Sequence, residues 1–501
     1  MSIRKLTISA GLTVLLACSA ASAATTIRIG VGDDPDQLDP ALSRAFVARL
    51  VLNSFCAKLF DITPDLQIAP SLATGYSWSD DRLALIIKLR PDVKFADGEP
   101  MDAEAVKYNF ERNLTIQGSL RKTELISVKS VDAVDPLTVR VNLKEPQAPL
   151  PSILTDRAGM MISPKAGKEL GDKFGNGPVC AGPFKFVSRV AQARIIFEKN
   201  PTYWDAANVH IDRVEFTPVN DSTVRLANLQ SGQFDLIERV SPTDVAQIKA
   251  DSKLKLTAAP DIGYSYFQMN IANGPRGKLL ADPRLREAID LSIDRAELVK
   301  VAFENTFIPG NQWVAPVSTY YQKDLPVPKR DVARAKALLK EAGVPNLTFK
   351  LITRPDRDWQ VPAQIIQAML AESGINMIID TQENVTGLNN GAKGEFDALF
   401  SFWSGRVDPD GNISLFNTCK ASQNSSGYCN EPLTKLLDEA RQLVDEGARK
   451  KLYNEAAAIW LKDRPMLALW YRNIFIAHRA AVQGFVPYPD GLVRLVNVKL
   501  Q

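Results

Sequence analysis

Apolar and polar residues alternate with a period of two along most of the first half of the chain. "TIRIGVG" near the start, "LALIIKLR" (83–90), "LTVRVNLK" (137–144), "ARIIFEKN" and "RVEFTPV" each read as strands, punctuated by Pro, Gly and Asp pairs that favour turns. After about Asn270 the period changes. "PKRDVARAKALLKEAGV" predicts a helix with Asp331 as N-cap, an apolar stripe of Val332, Ala335, Leu338, Leu339 and Ala342, and Gly343 as its left-handed stop. "LTFKLIT", a second helix in "VPAQIIQAMLAESG", "INMIIDTQ" and "FDALFSFW" follow in alternation. Helix–strand alternation with short connectors predicts a parallel sheet covered by helices, a second α/β domain distinct from the sheet-rich first half. The tail, "VQGFVPYPDGLVRLVNVKL", returns to short strand-like runs and is expected to rejoin the first domain.

The first 23 residues change the picture of where the chain works. Arg4 and Lys5 precede the apolar run Leu6–Ala17, and "ASA" at 21–23 offers small residues for cleavage after Ala23. That run is shorter than the about 20 residues a bilayer span needs. Cys18 in "LLAC" offers a lipid-anchor alternative, which Leu16 disfavours. Loss of Arg4 and Lys5 lowers the basic count from 60 to 58 against 57 acidic residues, so the exported chain is near neutral. No basic stripe with interleaved aromatics suggests nucleic acid.

Four cysteines follow the leader, an even count that in an exported chain favours disulfides over metal. Cys419 and Cys429 enclose the turn-rich "CKASQNSSGYC", which leaves Cys56 for Cys180. Two histidines, His210 and His478, lack ligand neighbours, so no metal site or cofactor is expected. G-x-S-x-G, H-E-x-x-H and C-x-x-C are absent, which removes the common hydrolase and redox mechanisms.

"KFADGEPMDAEAVKYNFER" (94–112) holds five carboxylates: Asp97, Glu99, Asp102, Glu104 and Glu111. Each has a local structural task. Asp97-Gly98 is a hairpin turn, Asp102 an N-cap, and Glu104 sits in the first helical turn where the dipole favours an anion. General acid–base work would need two carboxyls converging on a cleft, and this pattern does not supply that.

The same stretch, with the preceding "LRPDV", resembles a signature of the family 5 solute-binding proteins of ABC importers, which serve peptide, opine and nickel uptake. "PSLATGYSWSDD", "GPFKF" with "NPTYWD", "LQSGQFDL", "DPRLREAIDLSIDR" and "AKALLKEAG" recur in the family's order. The resemblance implies an α/β, two-lobed periplasmic-binding-protein clamshell of the large type II, cluster C kind, with an extra N-terminal subdomain. The expected organisation is a signal peptide at 1–23, lobe I at 24–268 with the subdomain at about 61–180, lobe II at 269–474, and a return to lobe I at 475–501. Chain crossings are expected near 265–275 and 470–480. Such a protein is periplasmic, monomeric and not an enzyme, and its partners are a small-molecule or peptide ligand and a membrane-embedded ABC permease.

Ligand contacts follow from the same resemblance. Asp408, after Trp403, matches the family position that holds a peptide ammonium, and the plain alternative is a turn starter at Asp408-Pro409. Arg406 and Arg354 are candidates to grip carboxylates, with Arg357 a solvated neighbour. Tyr264 and Tyr266 share a strand face at the first crossing, where they either stack on ligand or fill the lobe junction. Asn270 resembles a hinge-supporting position, Trp313 either lines the pocket or, by default, fills the core, and Ser43 and Arg44 lie on a loop expected to face the cleft. "DPDGN" fails as a calcium loop because its glycine comes too early and Cys419 stands where the bidentate Glu belongs. The expected ligand is a peptide or peptide-like zwitterion. An opine, an oligosaccharide stacked on Trp403, a secreted carboxylate glycosidase and an extracellular chaperone or receptor partner are the alternatives.

Overall fold

The computed structural model describes residues 24–419 and 421–501. The expected leader at 1–23, with Cys18, lies outside the described residues. Two mixed sheets organise the molecule. The first has seven strands in the order Leu254–Pro260, Asn473–Arg479, Leu236–Ile237, Thr26–Val31, Arg213–Pro218, Arg194–Lys199 and Phe184–Val190. Thr26–Val31 pairs parallel with both of its neighbours, and the flanking pairs are antiparallel.

The second sheet has six strands: Ile308–Pro309, Met466–Tyr471, Tyr264–Met269, Ala398–Trp403, Thr348–Thr353 and Asn376–Thr381. Only the last three pair in parallel, whereas Tyr264–Met269 runs antiparallel to both of its neighbours. The expected all-parallel sheet is therefore mixed: Tyr264–Met269 enters it directly from the other lobe rather than through a crossover helix, and Met466–Tyr471 and Ile308–Pro309 add further antiparallel pairs. Three helices foreseen or implied by periodicity sit where the pattern put them. Val332–Glu341 is capped by Asp331, whose carboxylate accepts from Arg334 N at 2.9 Å, and Arg357–Glu372 follows Thr348–Thr353. Ala103–Thr115 is capped by Asp102, whose carboxylate accepts from Ala105 N at 3.0 Å. That helix packs on a four-stranded antiparallel sheet between Ala73 and Leu143, the smaller body beside the first lobe.

The chain passes from the seven-stranded to the six-stranded sheet through residues 261–263 and returns at Arg472. The first passage thus precedes the expected 265–275, and Tyr264–Met269 is a buried strand of the second lobe. Asp261 accepts from Arg472 Nε at 2.9 Å and Nη2 at 2.6 Å, so an ion pair ties the two crossings together. Gly263 is required here: a Cβ would lie 1.9 Å from the Trp403 carbonyl oxygen. The tail pairs only Val482–Gln483 with Lys499–Leu500 and is otherwise irregular. Its Val482, Phe485, Leu492 and Val498 nevertheless bury into the first lobe's core. Disulfides join Cys56 to Cys180 and Cys419 to Cys429.

Candidate functional site

The lobes face each other across the ends of their strands. In the second lobe, Thr353, Thr381 and Trp403 end the three parallel strands on the cleft side, where an open α/β sheet presents its ligands. Strand alternation then sorts the side chains. Tyr266 and Gln268 share a face with Leu399, Ser401 and Trp403 of the neighbouring strand, and all five line a cavity of about 720 Å3 between the lobes. Phe267 and Phe400 point the other way into the helix-covered core. The first lobe contributes Asp33, Arg44, Phe46 and Arg157, and Arg354 follows the end of Thr348–Thr353.

Charge in this cavity is unbalanced. Arg44, Arg157 and Arg354 line it with one carboxylate, Asp33, among the described residues. Asp33 engages Arg239 at 3.0 Å and Arg354 at 3.3 Å, both through Oδ2. The Arg354 guanidinium lies 4.4 Å from the Trp359 ring centroid and 5.3 Å from that of Phe402, a stacked clamp that holds its fork toward the first lobe. Burial lowers the Arg354 pKa, with Asp33 opposing. Arg44 is lowered by burial too, and its Nη1 reaches the Leu388 carbonyl at 3.3 Å across the cleft. Gln268 is 3% exposed and its Nε2 has no partner among the described residues.

A second space of about 900 Å3 shares Phe46 and Ser404 with the first and runs back to the crossings. Phe303, Phe307, Trp359 and Trp470 give it an apolar wall, with Asp356 and Asp358 on its rim. Burial pushes the Asp356 carboxyl up to about 6 against the pull of Arg354 and Arg239. Asp358 is raised by burial while accepting from Ser241 Oγ of the first lobe at 2.7 Å.

Of the expected ligand residues, Arg44, Arg354, Tyr266 and Trp403 meet in the 720 Å3 cavity, and four others do not line it. Asp408 is held by Arg449 through two 2.8 Å hydrogen bonds, so its charge is committed to the helix Glu446–Asp463. Arg406 covers the Trp403 ring at 4.4 Å and pairs with Asp156 across the lobes. Tyr264 is fully buried and donates to the Asn412 carbonyl at 2.9 Å. Asn270, also fully buried, donates to the carbonyls of Asn273 and Phe396 at 2.9 Å, tying loop to strand. Ser43 is buried and gives its carbonyl to Arg157, Arg357 opens a helix, and Trp313 packs edge-on against Trp460. Asp33, Arg157 and Gln268 were missed. Asp33 had a usable signal, since it follows the first strand directly in the loop expected to face the cleft. Gln268 had one as well, two residues along from Tyr266.

Comparison with known proteins agrees with this architecture. Residues 67–424 match the model for bacterial extracellular solute-binding proteins, family 5. The chain is similar to the glutathione-binding protein GsiB of Salmonella paratyphi A, 31% identical over 499 residues covering 96% of this chain and 95% of the relative. Among solved structures it resembles Helicobacter pylori DppA in complex with the peptide STSA, with 26% identity and a TM-score of 0.87, covering 95% of this chain and 98% of that one. The agropinic-acid complex of AgaA from A. tumefaciens R10 is similar at 25% identity and a TM-score of 0.87, covering 95% and 99%.

Proposed function

The chain belongs to family 5 of the bacterial extracellular solute-binding proteins, binding components of ABC importers, and we propose that its solute is a small acidic peptide or peptide-like zwitterion. The observation that carries this reading is the cavity's composition: three arginines and one aspartate line the space between the lobes. In this reading Arg354 grips a carboxylate, and Asp33, whose Oδ1 is left over from its two ion pairs, takes the ammonium. A sugar is less well served, because Arg406 covers one face of Trp403 and Phe416 meets its ring at 4.7 Å. Opine acids carry the same charged groups and belong in the same class.

The likeness to GsiB and DppA supports a peptide, and no helix among the described residues is long and apolar enough to cross a membrane. The protein in this reading is exported by its leader to the periplasm, works as a monomer, and hands its ligand to a membrane permease without chemistry.

A thermal-shift screen of the exported protein against peptides, opines, amino acids and sugars tests the reading. A ligand at 100 times its Kd stabilises by about 2.7 kcal/mol, a visible rise in Tm. Hits among acidic peptides or opines that vanish in Arg354→Gln are expected. Hits confined to sugars, or untouched by Arg354→Gln, contradict it.

A further inference from the structure

Four guanidiniums meet where the two lobes touch beside the cavity. Arg49 donates to Asp156 Oδ1 at 2.9 Å, and Arg406 pairs with Asp156 Oδ2 from the opposite lobe. Arg157 lies 3.9 Å from Asp156 and donates to the Ser43 carbonyl at 2.9 Å. Arg121 pairs with Glu124 at 2.8 Å. The cluster thus sets four positive charges against two negative ones. The other carboxylates nearby are committed elsewhere, Asp408 to Arg449 and Asp410 to Arg441.

The donors are not all used. Arg157 Nε, Arg406 Nη2, and Nε and Nη2 of Arg121 are buried without a hydrogen-bond partner among the described residues. Arg157 is 2% exposed and Arg121 fully buried, so these are not surface arginines waving in water. Leaving a buried charged donor unpaired costs more than leaving a neutral one, and excess buried charge of one sign compounds this. Repulsion and burial register on the groups themselves. Burial, then the Arg121 charge, brings Arg157 down to about 10, and burial brings Arg406 down to about 9 with Asp156 opposing. Burial alone would raise the Asp156 carboxyl, but Arg406, Arg49 and Arg157 hold it well below its usual range.

Arg157 is the member of this cluster that also lines the 720 Å3 cavity, alongside Arg44 and opposite Arg354. We propose that Arg157, backed by Arg121 and Arg406, forms a second anion subsite at the first-lobe end of the cavity, and that the ligand carries two carboxylates, one at Arg354 and one at Arg157. This deepens the acidic-peptide reading and rests on it for the ligand's backbone, though not for its charge. The subsite also spans the closure line, because Arg406 comes from the second lobe and Arg157 and Arg121 from the first, and Arg354 faces it from the second lobe. A diacid therefore neutralises both walls, whereas a monoacid leaves one of them positive.

The test is calorimetric titration of the full exported protein with γ-glutamyl-alanyl-glycine, which has two carboxylates, and with each of its two mono-amides. Each amide is expected to bind at least about tenfold more weakly, the scale of one charge-assisted hydrogen-bonding pair. In Arg157→Gln one amide should bind as well as the diacid while the other still loses affinity. Arg157→Lys should restore part of the discrimination, which a merely structural role for Arg157 would not. If Arg157→Gln fails to fold, the wild-type ratios and Arg121→Gln decide. Equal binding of diacid and amides overturns the subsite and leaves the peptide reading standing. Binding of glutarate but of none of the three peptides, with the same dependence on Arg157, keeps the subsite and removes the peptide. Failure of every acidic probe, peptide or not, overturns both.

Discussion

Asp408 and Asp33 are both aspartates in turn-rich loops, and what each meets decides its role. Asp408 opens the turn into Asp410–Asn417 and is thereby aimed back at Arg449, which is itself buried. Removing one partner of such a pair strands the other charge, at about 3 kcal/mol. Asp408→Ala should therefore lower stability to urea while leaving ligand affinity of the folded protein unchanged; lost affinity with stability retained would place Asp408 on the ligand. Asp356 makes a pH prediction. Its folded pKa, about 6, lies above its ordinary 3.8, so between those values the folded protein keeps a proton that the unfolded chain has released. That group favours the fold below about pH 4, and its contribution is lost as pH rises through 6. Asp356→Asn should flatten the fall in Tm across this window, and an unaltered slope would contradict the assignment.

The elements most legible in the sequence were those with a clean period and a local cap. Val332–Glu341 was readable from Asp331 to Gly343 because both ends are set by neighbours in sequence. Ala103–Thr115 was readable for the same reason, its Asp102 cap bonding three residues on at Ala105, whereas Asp97 of the preceding turn also accepts from the distant Ser163 Oγ at 2.6 Å. The sheet's mixed pairing was not legible, since alternation fixes faces but not strand direction. The strand ends at Thr353 and Trp403 could be read from their apolar runs, while the part of Arg354 and Trp403 in ligand contact came from the family resemblance. Arg157 could not, because it lies in a three-residue turn whose closeness to Arg406 exists only after the lobes fold and meet. Cysteine spacing carried further. The Cys56–Cys180 bridge closes 124 residues and Cys419–Cys429 closes 10. Loop-closure entropy then predicts losses of about 5 and about 3 kcal/mol for the respective paired Cys→Ser variants. Denaturant unfolding of the two double variants checks the order, and equal losses would contradict the entropic account.

At the scale of the whole molecule, the two lobes touch through polar contacts and through two aromatic ones, Phe46 with Phe402 at 5.7 Å and Phe307 with Phe475 at 6.5 Å. Arg49 Nη1 reaches Ser404 Oγ at 3.3 Å, Asn220 reaches Glu383 at 3.1 Å, and Gln442 reaches Glu145 at 3.1 Å. Water can replace each of the polar contacts when the lobes part, whereas the apolar cores lie within the lobes except where Phe46 and Phe307 reach across. The chain crosses between the lobes only at 261–263 and at Arg472 among the described residues, the two crossings tied by the Asp261–Arg472 pair, which is the geometry of one short joint. In the proposed reading a ligand held between Arg354 and Arg157 enters as the lobes part and favours the closed state by bridging both walls. Small-angle X-ray scattering of the exported protein, alone and saturated with a hit from the solute screen, tests this most directly. The account predicts a smaller radius of gyration with ligand, and a weaker contraction with the same ligand in Arg157→Gln. Identical scattering curves with the ligand demonstrably bound would contradict it.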